Sequence, residues 1–149
     1  TRSRMMSGIR GKDTQRELVV RHHLHRLGFR YRLHVAGLPG RPDIVLARHR
    51  TAVFVHGCFW HRHAGCRYAT MPDTRRGFWE AKLGGNAARD ERDRAALEAA
   101  GWRVLTVWEC DVRRGDLDWL APAIRGPEGE GAARRGAELS SGDYRGTAR

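Results

Sequence analysis

Ala52-Val53-Phe54-Val55-His56-Gly57-Cys58-Phe59-Trp60-His61-Arg62-His63-Ala64-Gly65-Cys66 passes from an apolar run into a loop crowded with thiols, imidazoles and aromatics. Ala52 to Val55 predicts a short, well-buried strand, and Asp43 to Ala47, upstream across a polar link, predicts its neighbour. Only three cysteines occur in the chain, and the third, Cys110, follows the apolar run Trp102 to Trp108, which predicts another buried strand. Cys58, His63, Cys66 and Cys110 form a three-sulfur, one-nitrogen set of the kind that tetrahedral Zn²⁺ takes. Four protein ligands leave no open position for a substrate, so such a metal is structural. His61 is the alternative to His63, because Cys58-x₂-His61 is also a metal spacing. The segment from about residue 57 to 72 is therefore expected to be a metal-pinned loop. Phe59 and Trp60 are hard to bury within it, which marks the loop as the place where the protein acts.

Working outward, Thr14 to Gly28 reads as a helix with Leu18, Leu24 and Leu27 as apolar positions, Thr14 as cap and Gly28 as stop. Phe29 to Val35 is strand-like, and Leu38-Pro39-Gly40-Arg41-Pro42 is a rigid turn. Arg76 to Ala100 carries a long helical pattern, interrupted by Gly84-Gly85; each glycine costs about 1 kcal/mol relative to alanine. A kink, or close approach of another backbone such as DNA, would account for the pair. Leu117 to Ile124 predicts a final short helix. Strands alternating with helices predict an α/β fold with a mixed central sheet flanked by helices. Residues 1–125 form the expected domain, and the glycine-rich, apolar-poor stretch 126–149 is expected to be a disordered tail.

The net charge of +11 sits unevenly. From Gly126 onward four arginines balance four acids, so the excess lies in residues 1 to 125. A basic core with a neutral tail is the footprint of a nucleic-acid binder. No apolar run approaches the roughly 20 residues of a membrane span, and no apolar segment follows the basic N-terminus as in a secretory signal. The chain starts at Thr1 rather than at a methionine, and an N-terminal portion is expected to precede it. Three unevenly spaced cysteines argue against a disulfide framework. A cytoplasmic protein is expected.

Several residues then stand out as chemistry carriers. Asp43, after Pro42 at the mouth of a strand, suits a divalent cation or a turn cap. Glu17 completes the capping-box pattern Thr14-Gln15-Arg16-Glu17, which explains it without catalysis. His56 and His61 flank Cys58; free of the metal, an imidazole is suited to passing protons near neutral pH. Trp79, Lys82 and Asn86 share a helical face at i, i+3 and i+7, and with Phe59 and Trp60 they suit base stacking and base-edge hydrogen bonding. Trp102, Trp108 and Trp119 are assigned to packing.

Taken together, these residues resemble the very short patch repair endonucleases, the Vsr family. The resemblance runs from about Thr1 to Val112. Its blocks are Thr1-Arg2-Ser3 with Met6, Lys12-Asp13-Thr14 with Glu17, Leu38 to Asp43, Phe54 to His61, Phe78-Trp79 with Lys82 and Asn86, and Gly101 to Leu105 through Trp108-Glu109-Cys110. It implies a restriction-endonuclease-like, three-layer core of the PD-(D/E)xK superfamily with a zinc-stabilised loop. It also implies nicking of duplex DNA on the 5′ side of the thymine in T·G mismatches left by 5-methylcytosine deamination. By position, Asp43 would bind Mg²⁺ together with the main-chain carbonyl of Val55. His61 would activate water, His56 would hold the scissile phosphate, and Glu17 would support the metals. Cys58, His63, Cys66 and Cys110 match the structural Zn²⁺ site. Phe59, Trp60 and Trp79 match aromatics that wedge beside the mismatch, Met6 matches a residue entering from the other groove, and Lys82 and Asn86 match positions that read the pair. Double-stranded DNA with a T·G mismatch is the implied partner of a nucleoid-associated monomer, alongside mismatch-repair and repair-polymerase machinery. Two other readings share these residues: a restriction-like nuclease without mismatch preference, and a non-catalytic zinc DNA-binding module.

Overall fold

The computed structural model describes residues 14–126. Met6, the blocks from Thr1 to Asp13 and the tail from residue 127 onward lie outside the described residues. Helix α1 spans Gln15–Arg26, and the Thr14 hydroxyl accepts a hydrogen bond from the Glu17 amide at 3.3 Å, capping its first turn. The Glu17 carboxylate is buried against Arg21 and His34. This residue therefore does more than the sequence motif requires.

Four strands follow in the order β1-β2-β3-β4: β1 (Arg32–Leu33), β2 (Ile44–Leu46), β3 (Thr51–His56) and β4 (Arg103–Trp108). The first two pairings are antiparallel and β3–β4 is parallel, so the sheet is mixed. Side chains alternate across it. Ile44, Leu46, Val53, Val55 and Val107 join Val20 and Leu24 of α1 in one core. Val45, Ala52 and Val104 point the other way and pack with Leu97 and Trp102. Strands covered on both faces read as continuous apolar runs, which is how they appear in the sequence. The layers are thus α1 with the C-terminal helix α4 (Leu120–Arg125), then the sheet, then the long helix α2 (Arg76–Ala99).

The predicted strand Phe29 to Val35 shrinks to two residues. Phe29 is held back by its amide, which donates to Leu24 O at 3.1 Å, and His34 ends the strand with φ +48. A helix that the sequence reading missed, α3 (Glu109–Arg114), begins directly after β4. Asp111 Oδ2 accepts from the Trp108 amide at 3.4 Å, and Gly115 closes the helix at φ +70. Cys110 therefore stands in the first turn of a helix rather than at a strand end.

Helix α2 is continuous through Gly84-Gly85. A Cβ at Gly85 would meet open space and one at Gly84 only ordinary contact with Arg62, so crowding among the described residues does not require the pair. Gly40 differs. It has φ +75, and a Cβ there would fall 2.9 Å from the Asp93 side chain, so the Leu38–Arg41 turn packs directly on α2. Only Trp79, Leu83 and Leu97 of α2 are buried, while Arg76–Glu80 and Arg94–Glu98 pair along its wet side. The helix is thus anchored near its two ends, by Leu97 in the second core and by Trp79 under the aromatic loop. Leu97→Ala should cost about 2–5 kcal/mol, the usual range for a buried leucine truncated to alanine. Chemical denaturation measures this, and a loss below about 1 kcal/mol would mean that α2 is not anchored there.

Candidate active site and metal centre

Asp43 is set by the turn before it and the strand after it. Pro42 precedes it, β2 starts at Ile44, and its Oδ2 accepts from the Val55 amide on β3 at 2.8 Å. That bond aims the carboxylate along the sheet towards α1. Burial pushes its pKa up to about 7, opposed by the Val55 amide, with the negative Glu17 nearby adding to the rise. His34 stands between the acids, with Nε2 3.5 Å from Glu17 Oε2 and Nδ1 3.9 Å from Asp43 Oδ1. Arg21 Nη2 lies 3.2 Å from Glu17 Oε2 and also 3.2 Å from His34 Nε2. One ligand atom from each of Glu17, His34 and Asp43 falls within 4.8 Å of the others, a spacing that can hold a metal ion. Two acids that burial forces together favour an added cation, because it relieves both desolvation and mutual repulsion.

His56 ends β3 and stacks face to face on His61, with centroids 3.7 Å apart and planes 5° from parallel. Burial, with His61, Arg94 and Arg16 close by, lowers the His56 pKa to about 3; Asp90 pulls the other way. His56 is therefore a neutral imidazole at working pH. The Nδ1 of His61 lies 2.6 Å from Asp90 Oδ2 on α2. A carboxylate on Nδ1 orients the ring, fixes the proton on that nitrogen and leaves Nε2 as the basic one.

A few residues away the thiols gather. Cys58, His63, Cys66 and Cys110 each offer a ligand atom within 4.8 Å of the others, and all three cysteines are free. His63 Nδ1 lies 3.5 Å from the sulfurs of both Cys58 and Cys110. Burial pushes the Cys58 thiol up to about 12. The His63 ring stacks on Trp108 at 4.0 Å, and the Cys58 amide donates to Glu109 Oε1 at 3.3 Å. Of the two histidines open in the sequence, His63 joins the sulfurs and His61 turns to Asp90. Donor set and spacing fit a closed tetrahedral site of the zinc type.

Phe59, Trp60 and Trp79 meet edge-on or tilted, with centroids 5.1 to 6.0 Å apart. Phe59 and Trp60 are half-buried, Trp79 is buried beneath them, and Phe78 is the exposed aromatic at the start of α2. Lys82 is exposed. Asn86 Nδ2 donates to the Trp60 carbonyl at 3.0 Å and its Oδ1 accepts from Arg89, so its amide holds the aromatic loop on α2.

Asp90, His34 and Arg21 entered no sequence argument. Asp90 lies four residues beyond Asn86 on the helical face that already bore Lys82, and Arg21 lies four beyond Glu17, so helical spacing was a usable signal for both. His34 carried none, because its place depends on a left-handed residue ending β1.

A sequence-family model described as DNA mismatch endonuclease Vsr matches residues 1–67. The chain is 48% identical over 121 residues to the type II nicking enzyme V.XorIIP of Xanthomonas oryzae pv. oryzae, covering 81% of this chain and 87% of that one. It is 46% identical over 113 residues to the DNA mismatch endonuclease Vsr of Escherichia coli, covering 76% and 72%. Against the type II nicking enzyme V.NmeAIP of Neisseria meningitidis the identity is 41% over 112 residues, covering 75% and 79%. Likeness of this extent, over a mixed sheet with its acids, paired histidines and thiol cluster at one end, places the chain in the Vsr family of DNA mismatch endonucleases.

Proposed function

We propose that the protein is a Mg²⁺-dependent endonuclease that nicks duplex DNA 5′ to the thymine of a T·G mismatch produced by 5-methylcytosine deamination, and so initiates very short patch repair. The observation that carries this reading is the close approach of half-buried Asp43 to buried Glu17, near a histidine whose Nδ1 is held by Asp90. Family membership supports nuclease chemistry, and the name of the Escherichia coli relative supports the mismatch.

Held by Asp43, the Val55 carbonyl and Glu17, magnesium would supply charge neutralisation at the phosphate and a polarised water. The remaining work belongs to side chains. His61 accepts the proton of the attacking water on Nε2, while Asp90 stabilises the imidazolium that results. His56, kept neutral by burial, donates one ring N–H to a phosphate oxygen and braces the His61 ring by stacking. Phe59 and Trp60, with Trp79 beneath them, enter the stack beside the mismatch, where a weakened pair is cheaper to unstack. Lys82 reads the pair, Asn86 joins it by exchanging its bonds to Trp60 O and Arg89 for the base edge, and Met6 approaches from the other groove. Cys58, His63, Cys66 and Cys110 would hold a structural zinc, which would fix the aromatic loop in place. Among the described residues no helix is long and apolar enough to cross a membrane.

The decisive experiment incubates the protein with Mg²⁺ and labelled duplexes carrying T·G or T·A in several contexts. One nick 5′ to the mismatched thymine is expected. Equal nicking of matched duplexes would make the protein a restriction-like nuclease, and binding without cleavage would make it a zinc DNA-binding module. Asp43→Asn should abolish nicking yet leave T·G binding within a few-fold, because backbone contacts elsewhere supply most of the affinity. Substantial cleavage by this variant would remove Asp43 from the mechanism.

Asp90→Asn keeps the side-chain volume but frees the His61 tautomer. Nicking should fall about 10²- to 10⁴-fold, the range that a positioned acid–base group contributes, with DNA affinity unchanged. An unaltered single-turnover rate would show that His61 needs no carboxylate.

The thiol cluster joins a loop after β3 to a helix after β4, so metal there contributes to folding itself. Chelation, and separately Cys110→Ala, should lower the melting temperature of the whole domain. A melting temperature unchanged after metal analysis confirms removal would dismiss a structural metal.

A further inference from the structure

Arg16 lies in the first turn of α1, next to Glu17, and points to the opposite side of the site. A Cβ built on Gly57 would come within 3.0 Å of Arg16 Nη2 and 3.4 Å of its Cζ, with Trp60 Cδ1 at 3.5 Å. The guanidinium therefore rests on bare backbone directly after His56, beside the aromatic loop. Successive residues of a helix differ by about 100° in direction. In this way Glu17 reaches the Asp43 side while Arg16 reaches the His56 side.

Among the described residues Arg94 and Arg16 bear on His56, and their surroundings differ. Arg94 is occupied: it lies within ion-pair distance of Glu91 and Glu98 and donates to Thr106. Arg16 Nε is buried with no hydrogen-bond partner, and among the described residues no carboxylate pairs with its guanidinium. A guanidinium stays charged at every working pH, and burying its donors unsatisfied is unfavourable. Such an arrangement is retained where an anion arrives to complete it, and a guanidinium fork matches a phosphate in shape and charge.

We propose that Arg16 is a phosphate-binding residue of the active site, donating to a non-bridging oxygen of the phosphodiester held beside His56 and His61. The assignment rests on the nuclease reading for the identity of that phosphodiester, which is the one to be cut. Gly57 acquires a role from it, since a Cβ there would press on the guanidinium and shift it by a few tenths of an ångström.

The test uses Arg16→Met, which keeps a linear stem without charge, and Arg16→Lys, which restores charge without the fork. T·G duplexes are titrated in Mg²⁺-free buffer at several salt concentrations, unmodified or with a neutral methylphosphonate at the step to be cut. On the unmodified duplex Arg16→Met should bind about tenfold more weakly, and its salt slope should be shallower by about 0.9, the value for one phosphate contact. On the methylphosphonate duplex wild type and Arg16→Met should bind alike, and Arg16→Lys should recover the slope on the unmodified one. Unchanged affinity and slope for Arg16→Met, or an equal loss on both duplexes, would overturn the proposal, as would a lowered melting temperature with no change in binding. Wild-type protein that binds but never nicks with Mg²⁺ would sink the nuclease reading alone, and Arg16 would still be judged by the methylphosphonate comparison.

Discussion

Parallel pairing of β3 with β4, in register from Thr51↔Arg103 to His56↔Trp108, brings the C-terminal ends of two sequence-distant strands to one end of the sheet. The rest of the functional end depends on it. His56 and Cys58 leave β3 there, and Trp108 and Cys110 leave β4 beside them. Had these strands run antiparallel, Cys110 would stand at the far end, away from Cys58, His63 and Cys66. The parallel arrangement needs a long crossover, and the aromatic loop and α2 occupy it. Asp90 and Asn86, carried by that crossover helix, reach His61 and the Trp60 carbonyl.

The same crowding sets the electrostatics. Asp43 immediately precedes β2 and His56 ends the adjacent β3, and burial moves both towards neutrality, the carboxyl up to about 7 and the imidazole down to about 3. Opposite shifts from one cause give an acid ready to exchange its proton for a cation and a histidine that keeps donor and acceptor sides at neutral pH. Asp90 shapes the third group differently, by a direct contact in a half-exposed setting. Desolvation tunes two of the groups and geometry tunes the third.

Much of this was legible in advance because the responsible signals are local. Asp43 to Ala47 and Ala52 to Val55 read as short apolar runs separated by a polar link, and buried strands form there at Ile44–Leu46 and Thr51–His56. Thr14 caps α1 as its pattern predicts. The Cys-x₄-His-x₂-Cys spacing needs only a tight loop to converge, and it does. The gaps have a different origin. Helix α3 carried ordinary helix signals, acids Glu109 and Asp111 first, Arg113 and Arg114 last, then Gly115; the apolar run that leads directly into it masked them. Asp90 and Arg16 matter through contacts with residues 29 and 41 positions away, and no local pattern encodes such meetings.

The shortness of β1 reaches beyond the site. Among the described residues it is the outer strand of the sheet, and it consists of Arg32 and Leu33 alone, ended by the left-handed His34. A strand of that length, with a charged residue on it, offers a second chain almost nothing to zip onto. The sheet is thereby protected on this side against stacking copy upon copy. The same His34 that stops the strand stands between Glu17 and Asp43, so one backbone turn both blunts an aggregation-prone border and completes the acid cluster.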